Sequence, residues 1–273
     1  MVEATLRVVA NALFSEDFGP LVHSMNDLAT RGLRRTEKFG RLGLWGLMPR
    51  SVYKTLMWCT FSGVPLPPPF RESQQITLAL DEAVNAVLDD RVAYPTESAD
   101  LLNVLFSADN GTWPRKRVRD EALTFMLAGH ETTANAMSWL WYLLASNPDA
   151  REKVLAEIDD VLGGRRPTAA DLARLPWPDP DTFDPTRFIG DVVKDRPRSA
   201  YLPFGGGRRI CIGQSFALME MVLMAAVMSQ RFTFDVCPDH GVELEATLTL
   251  RPKHGLRVVA HRREESADER STG

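Results

Sequence analysis

The feature that most constrains the fold of this chain is a long apolar segment, residues 118–146, whose middle is polar. The middle reads AGHETT (128–133), where a glycine weakens a helix by about 1 kcal/mol and a buried carboxylate is costly without partners. The spacing of the large apolar residues predicts a helix at the centre of a hydrophobic core. These residues are Leu123, Met126, Leu127, Met137, Leu140, Trp141 and Leu144.

Two interpretations of residues 128–133 stay open from the residues alone. In the first, His130, Glu131 and the threonines form a solvated stripe. In the second, a carboxylate and a hydroxyl face a cavity and relay protons and water to a small molecule that is activated there. A zinc protease is excluded, because its HExxH motif would need histidine at position 134 and this chain has Ala134.

Most of the remaining chain also predicts helix, so the expected fold class is mostly α with a small β portion. Four prolines in residues 63–70 and the glycine pair at 163–164 interrupt the helical pattern. Two short strands are expected around a turn at His254-Gly255, followed by a disordered tail. The other predicted helices are 2–14, 21–39, 43–63, 72–91, one that begins at Pro148, and one from about Gln214 to Gln230.

Composition narrows the class of protein. The 273 residues are 44% apolar and 25% charged, which supports a real core, and a net charge of −4 argues against a general nucleic-acid binder. Three cysteines without a CxxC pair predict a reducing, cytoplasmic setting with no disulfide framework. No basic leader precedes a long apolar run, so neither a signal peptide nor a membrane span is expected. The most apolar stretch, 216–228, carries Glu220 and predicts a buried helix.

A glycine-rich loop, PFGGGRRICIG (203–213), holds one cysteine beside two arginines. Cys211 follows Arg208 and Arg209 and precedes the helix predicted near Gln214. Positive side chains and a helix N-terminus both favour the thiolate over the thiol. A thiolate is either a nucleophile or a metal ligand, so the loop predicts one of these two roles or a plain structural cysteine at a glycine turn.

Other motifs fit this loop less well. No lysine follows the glycines as a phosphate-binding loop requires, and the dinucleotide pattern GxGxxG fails at Ile210. Residues 213–217 match GxSxG loosely, so a serine hydrolase using Ser215 stays an alternative. Its histidine would come from His240, His254 or His261.

Taken together, these motifs resemble the cytochrome P450 family. Residues 204–213 match the family's haem-thiolate signature at each specified position: Phe204, Gly207, Arg209, Cys211 and Gly213. Residues 128–133 resemble its oxygen-binding helix with an acid–threonine pair, and FDPTRF (183–188) resembles the loop before the haem segment.

The resemblance implies a haem-thiolate monooxygenase that inserts one atom of O₂ into a small apolar organic substrate. Cys211 is the implied ligand of the haem b iron, Arg209 the partner of a haem propionate, and Phe204 a packing residue near the sulfur. Thr132 would hold O₂ and its water, and Glu131 would connect that water to a proton source. The implied electron donor is a ferredoxin, flavodoxin or reductase, and no nucleic-acid partner is expected.

The same resemblance implies a single partial domain over residues 1–273. A helical part (1–177) contains the oxygen-binding helix, a haem-loop part (178–260) follows, and 261–273 is the tail. Family members carry a Glu-x-x-Arg helix between the two parts, which braces Arg187. No glutamate here stands three residues before an arginine, and Trp177-Pro178 joins the parts directly. An inactive family fragment that binds haem weakly or not at all is therefore an alternative, as is a compact variant braced by Glu220 or Asp184.

Overall fold

The computed structural model describes residues 1–15, 27–28, 30–32, 49–68, 70–167, 202–246 and 249–263. Helices dominate these ranges, as the apolar spacing predicts. None of the described helices has both the length and the apolar character needed to cross a membrane. The helices are α1 (Val2–Phe14), α2 (Arg50–Phe61), α3 (Arg71–Ala93), α4 (Leu101–Gly111), α5 (Arg115–Ser146), α6 (Pro148–Leu162) and α7 (Gln214–Arg231).

Four short strands follow α7: β1 (Phe232–Val236), β2 (Leu244–Ala246), β3 (Leu250–Pro252) and β4 (Val258–Arg262). β1 pairs with β4 in antiparallel register, with Phe232 opposite Arg262 and Val236 opposite Val258. β2 pairs with β3, so the described strands form two separate two-stranded sheets.

The chain divides into two compact units, and the boundary falls inside α5. The first unit comprises Met1–Ala134 with Ala246–Thr249. Its core joins α1, α3, α4 and the first half of α5 through ten buried residues. They are Leu6, Ala10, Phe14, Val84, Leu88, Leu102, Leu105, Val118, Ala122 and Met126.

A buried ion pair ties three elements of this unit together. The Arg91 guanidinium lies 2.9 Å from Asp100 and also donates to the Phe14 carbonyl, with both charged side chains 3% exposed. Burial acts to raise the pKa of Asp100. Hydrogen bonds from the Asn103 N–H, Ser15 and Arg91 outweigh it, and the pKa lies below its ordinary value. The carboxylate therefore stays charged and caps α4 at its N-terminus.

The second unit comprises Asn135–Glu245 with Leu250–Gly273. Its hydrophobic cluster is smaller: Ile158 and Leu162 of α6 pack on Ala226 of α7. A ring contact between Trp141 and Phe234, with centroids 4.6 Å apart, joins α5 to β1 within the unit. Among the described residues, Ala226 is the residue that α7 contributes to this cluster.

Several sequence predictions are confirmed. The helix predicted over 2–14 is present, and that over 72–91 is longer by one residue at its start and two at its end. The helix from Pro148 ends at a left-handed Gly163, as the glycine pair predicts. The predicted strands occur on either side of His254-Gly255, but each pairs with a strand that the pattern did not predict. Helix α4 was also missed.

Four predictions fall wholly or partly outside the described residues. The helix over 21–39 is described only at 27–28 and 30–32, and the helix over 43–63 only from 49 onward, where α2 begins at Arg50. FDPTRF, with Arg187 and Asp184, and the tail from residue 264 lie outside the described ranges.

Candidate functional site

The cysteine loop is a tight turn that leads into α7. The Cys211 N–H donates to the Phe204 carbonyl at 2.9 Å, and the Ile210 N–H donates to the Gly207 carbonyl at 3.2 Å. Gly205 and Gly207 adopt φ of 73° and 65°, the left-handed region that favours glycine. The sequence therefore folds into a closed loop because glycines stand where the backbone reverses.

Cys211 lies in the part of this loop that precedes α7. The residue is exposed and free of any disulfide. Two residues later, Gly213 is the N-cap of α7, and its carbonyl accepts the Ala217 N–H at 2.8 Å. Cys211 therefore stands immediately before the N-terminus of α7.

The other loop residues fit the haem that the sequence resemblance implies. Arg209 is exposed, and among the described residues it has no acidic partner, so its guanidinium is available to a carboxylate. Phe204 is half-buried, and a side chain added at Gly207 would meet no atom within 4 Å. The donor set is one thiolate with a cation nearby, which suits an iron porphyrin bearing propionates.

The polar middle of α5 does not lie on one solvated stripe. His130 and Thr133 are buried at 1% and 3% exposure, whereas Thr132 is exposed and Glu131 half-buried. Burial lowers the pKa of His130, although its contacts with the Met126 and Leu127 carbonyls act in the opposite direction. The solvated interpretation is wrong for His130 and Thr133, because both point into the core.

Glu131 and Thr132 each have a polar neighbour. Thr249 Oγ1 donates to Glu131 Oε1 over 3.4 Å, within the first unit. Thr132 Oγ1 donates to the Ala128 carbonyl at 2.8 Å, the back-bond expected of a threonine inside a helix. The single hydroxyl proton is used in that bond, so Thr132 is set to accept a hydrogen bond without rearrangement.

The sequence did not predict the contacts between α1 and residues 129–130 of this segment. Thr5 Oγ1 donates to the His130 carbonyl at 2.9 Å, and a Cβ built on Gly129 would lie 3.1 Å from a Val9 methyl carbon. Glycine at position 129 therefore lets α1 approach α5 closely. The signal for this contact was the glycine itself, in a helix otherwise filled with larger residues.

The hydrolase alternative gains no support from the loop. Ser215 is exposed, and no histidine hydrogen-bonds to it among the described residues. His240 instead contacts the Gly255 carbonyl at 3.0 Å, and His261 contacts Asp235 at 3.1 Å. The described residues therefore assemble no acid–base pair around this serine.

Comparison with known proteins identifies relatives over most of the chain. The model of the family described as "Cytochrome P450" matches residues 60–176 and 177–258 in two consecutive parts. A protein of Mycobacterium tuberculosis named "Putative cytochrome P450 132" is 63% identical over 316 aligned positions, covering 96% of this chain and 68% of the relative. Cyclooctatin synthase of Streptomyces melanosporofaciens is 28% identical, covering 92% of this chain and 64% of that protein.

The fold agrees with these relatives. The crystal structure of the cytochrome P450DA haem domain superimposes with a TM-score of 0.76 at 20% identity, over 96% of this chain and 67% of that one. The chain thus spans about two thirds of the length of the proteins it matches. With a family model that covers more than half of its residues and a relative at 63% identity, the chain belongs to the cytochrome P450 family.

Proposed function

We propose that this chain is a haem-thiolate monooxygenase that inserts one atom of O₂ into a small apolar organic substrate. Members of the family are oxidoreductases that bind haem through a cysteine thiolate and use O₂. The observation that supports the proposal most directly is the exposed Cys211 thiol on a glycine turn immediately before α7. Haem, when bound, supplies the oxidising chemistry, since thiolate ligation favours O–O cleavage.

The loop residues divide the binding of haem between them. Cys211 Sγ would ligate the haem iron. Arg209 pairs with a propionate by a charge-assisted hydrogen bond. Phe204 packs near the sulfur, and Gly207 and Gly213 let the backbone approach the porphyrin closely.

Glu131 and Thr132 handle protons in this proposal. The Thr132 hydroxyl donates to the Ala128 carbonyl and can accept a hydrogen bond from water. Release of that back-bond lets the same hydroxyl donate a hydrogen bond to O₂. The Glu131 carboxylate, held by Thr249, takes protons from solvent and passes them to the water at Thr132.

Family members take electrons from reductase partners. For this chain we infer a ferredoxin, flavodoxin or reductase as donor. We also infer a cytoplasmic setting, which the free cysteines at 59, 211 and 237 support. Residues 1–177 and 178–260 act as parts of one domain, because the family model covers both sides of their junction.

The test is the absorption spectrum of the purified chain after reconstitution with haem. We expect the reduced carbon monoxide complex to show the red-shifted Soret band of thiolate ligation, and Cys211→Ser to abolish it. Absence of the band in the unaltered chain contradicts the proposal.

The other two cysteines provide matched controls for this experiment. Cys59 and Cys237 are free but half-buried, so Cys59→Ser and Cys237→Ser should leave the band in place. Persistence of the band in Cys211→Ser would assign the iron to another ligand. A spectrum of unligated haem in every variant would show that the chain does not bind it.

A further inference from the structure

The C-terminal end of α4 is a left-handed backbone turn. Asp109 and Asn110 adopt φ of 52° and 56°, and Gly111 follows at 76°. Ala108 already leaves the helical region, with φ of −60° and ψ of 138°, so the regular part of α4 ends before it. Left-handed backbone is costly for residues with a Cβ, and asparagine and aspartate tolerate it better than most. The sequence ADNG (108–111) therefore suits the turn that it forms.

The side chain of Asn110 is exposed in this turn, and among the described residues no hydrogen bond holds it. Gly111 is exposed as well. A Cβ built on Gly111 would lie 3.7 Å from the Phe106 carbonyl oxygen, which is an ordinary contact distance. The amide of Asn110 is therefore free to rotate, and the space beside the Gly111 Cα is open.

Four other asparagines of the described ranges have side chains that are held by the main chain. The Nδ2 atoms of Asn11, Asn85 and Asn147 each donate to the carbonyl four residues earlier, at 3.0, 2.9 and 2.8 Å. Asn103 donates to two main-chain carbonyls. In the whole sequence, only Asn110 is followed by glycine. Asn110 thus differs from these four both in its freedom and in its neighbour.

We propose that Asn110-Gly111 is a site of spontaneous deamidation, a modification that needs water and no other reactant. The Gly111 main-chain nitrogen attacks Asn110 Cγ, and the new N–Cγ bond replaces the Cγ–Nδ2 bond. Ammonia leaves with the proton that the Gly111 nitrogen has lost. Water then opens the resulting cyclic imide at one of its two carbonyls, which leaves isoaspartate or aspartate at position 110.

The turn supports this reaction because its backbone can move. Ring closure requires rotation about the Cα–C bond of Asn110, whose ψ is 34° in the turn. Gly111 has no Cβ to obstruct that rotation. Asn85 lies inside α3, where hydrogen bonds between main-chain groups four residues apart resist the same rotation. We therefore expect the reaction at the turn and not in the helices.

The modification should loosen the connection between α4 and α5. Thr112 donates to the Asp109 carbonyl twice, from its N–H at 3.2 Å and from Oγ1 at 2.8 Å. Both bonds span residue 110. Isoaspartate lengthens the main chain there by one methylene, so we expect both bonds to be lost. Either product also adds a negative charge next to Asp109.

The test is incubation of the unaltered chain in mildly alkaline buffer, followed by peptide mapping with mass spectrometry. Isoaspartate is measured separately, by methyl transfer from S-adenosylmethionine with an isoaspartyl methyltransferase. We expect Asn110 to convert at least roughly tenfold faster than Asn85 in the same sample. Equal rates at the two positions would overturn the proposal.

A synthetic peptide of residues 107–113 gives the rate of the same sequence without the fold. We expect Asn110 of the folded chain to convert within about tenfold of the peptide rate, because an exposed turn opens at little cost. The proposal is wrong if the peptide converts and the folded chain does not, since the fold would then protect the amide.

Two matched variants assign the new charge. Asn110→Gln should remove the acidic shift seen on isoelectric focusing, because glutamine would have to close a larger ring, whereas Asn85→Gln should leave that shift in place. Hydrogen exchange at the Thr112 N–H should become faster on incubation in the unaltered chain and not in Asn110→Gln. An acidic shift that persists in Asn110→Gln would contradict the proposal. If that variant does not fold, peptide mapping of the unaltered chain still decides. None of these measurements involves haem, so their outcome is independent of the carbon monoxide spectrum.

Discussion

Helices α5 and α7 are both rich in large apolar residues, but their side chains are buried in opposite ways. On α5, a continuous stripe of buried residues recurs every three or four positions; on α7, the buried residues are mainly polar. The difference lies in the neighbours, since α1, α3 and α4 pack with α5 in the first unit, whereas α6 covers only part of α7. The stripe on α5 comprises Val118, Ala122, Met126, His130, Ala134, Met137, Trp141 and Leu144.

The contrast shows that an apolar sequence favours burial of a helix but does not by itself bury it. Burial also requires neighbouring elements that pack against the helix. Both helices have the residues of core elements, but among the described residues more side chains of α5 than of α7 are buried. Substitutions at matched positions in the two regions should therefore have different costs.

The largest effect is expected at the ion pair that anchors α1 and α4 in the unit around α5. Arg91→Ala leaves the buried Asp100 without its cation, which should cost about 3–5 kcal/mol in the free energy of unfolding. Arg115→Ala removes an exposed pair with Asp89 and should cost about 1 kcal/mol or less. Urea denaturation of both variants measures the difference.

The ion pair between Arg91 and Asp100 also predicts how stability changes at low pH. Because the pKa of Asp100 is lower in the folded chain, its contribution is present above the unfolded value and is lost as the pH falls through the folded pKa. Arg91→Ala should therefore weaken the loss of stability below about pH 4. Similar unfolding energies for the Arg91 and Arg115 variants would show that the first unit is not organised around the buried pair.

The second effect compares the helices directly through their methionines. Met126→Ala on α5 should cost about 2–5 kcal/mol, because a buried side chain is replaced by a cavity. Met224→Ala on α7 should cost about 1 kcal/mol or less, because the side chain is already half in contact with water. Equal costs, measured as shifts in the urea midpoint, would mean that α7 is packed as tightly as α5.

The sequence predicted the helices where local signals agree. Pro148 at the start of α6 and the left-handed Gly163 at its end are such signals, and the helix runs between them. Helix α4 was missed although Asp100 precedes an apolar run and caps it. The pairing of β1 with β4 joins residues that are far apart in the chain, and no local pattern specifies that register.

The cysteine loop of the candidate site could be predicted from the sequence more fully than the polar middle of α5. The spacing around Cys211 is local, so the glycine positions already indicate a turn before a helix. The orientation of residues 128–133 was not predictable, because the face that a helix buries depends on its neighbours. The burial of each side chain in the structure shows that His130 points inward while Thr132 stays exposed. The assignment of catalytic and haem-binding roles stays a prediction.

The third effect concerns the buried histidine of α5. Its pKa is lowered by burial, so the folded chain holds His130 neutral where the unfolded chain binds a proton. Stability should be full above about pH 6.5 and fall as the pH is lowered toward the folded pKa, by about 1.4 kcal/mol for each unit of depression. Unfolding measured between about pH 7 and pH 5 follows this loss.

Two variants test whether His130 is the group responsible for this pH dependence of stability. His130→Gln should flatten it, whereas His254→Gln, at an exposed turn, removes no buried ring and should leave it unchanged. If the free energy of unfolding of His130→Gln depends on pH as it does in the unaltered chain, another group takes up the proton. The burial of His130 would then not contribute to the pH dependence of stability.

The smallest effect tests whether α1 stabilises the polar middle of α5. Thr5→Val keeps the shape of the side chain and its branching but removes the hydroxyl that donates to the His130 carbonyl. A loss of about 0.5–1.5 kcal/mol is expected, because the bond is buried and its acceptor loses a donor. Thr124→Val on α5 removes an exposed back-bond to the Asp120 carbonyl and should change stability by less than about 0.5 kcal/mol. Equal losses in the free energy of unfolding for both substitutions would contradict this prediction. The Thr5 hydroxyl would then bond chiefly to the Met1 and Val2 carbonyls of its own helix, and only apolar contacts would join α1 to α5.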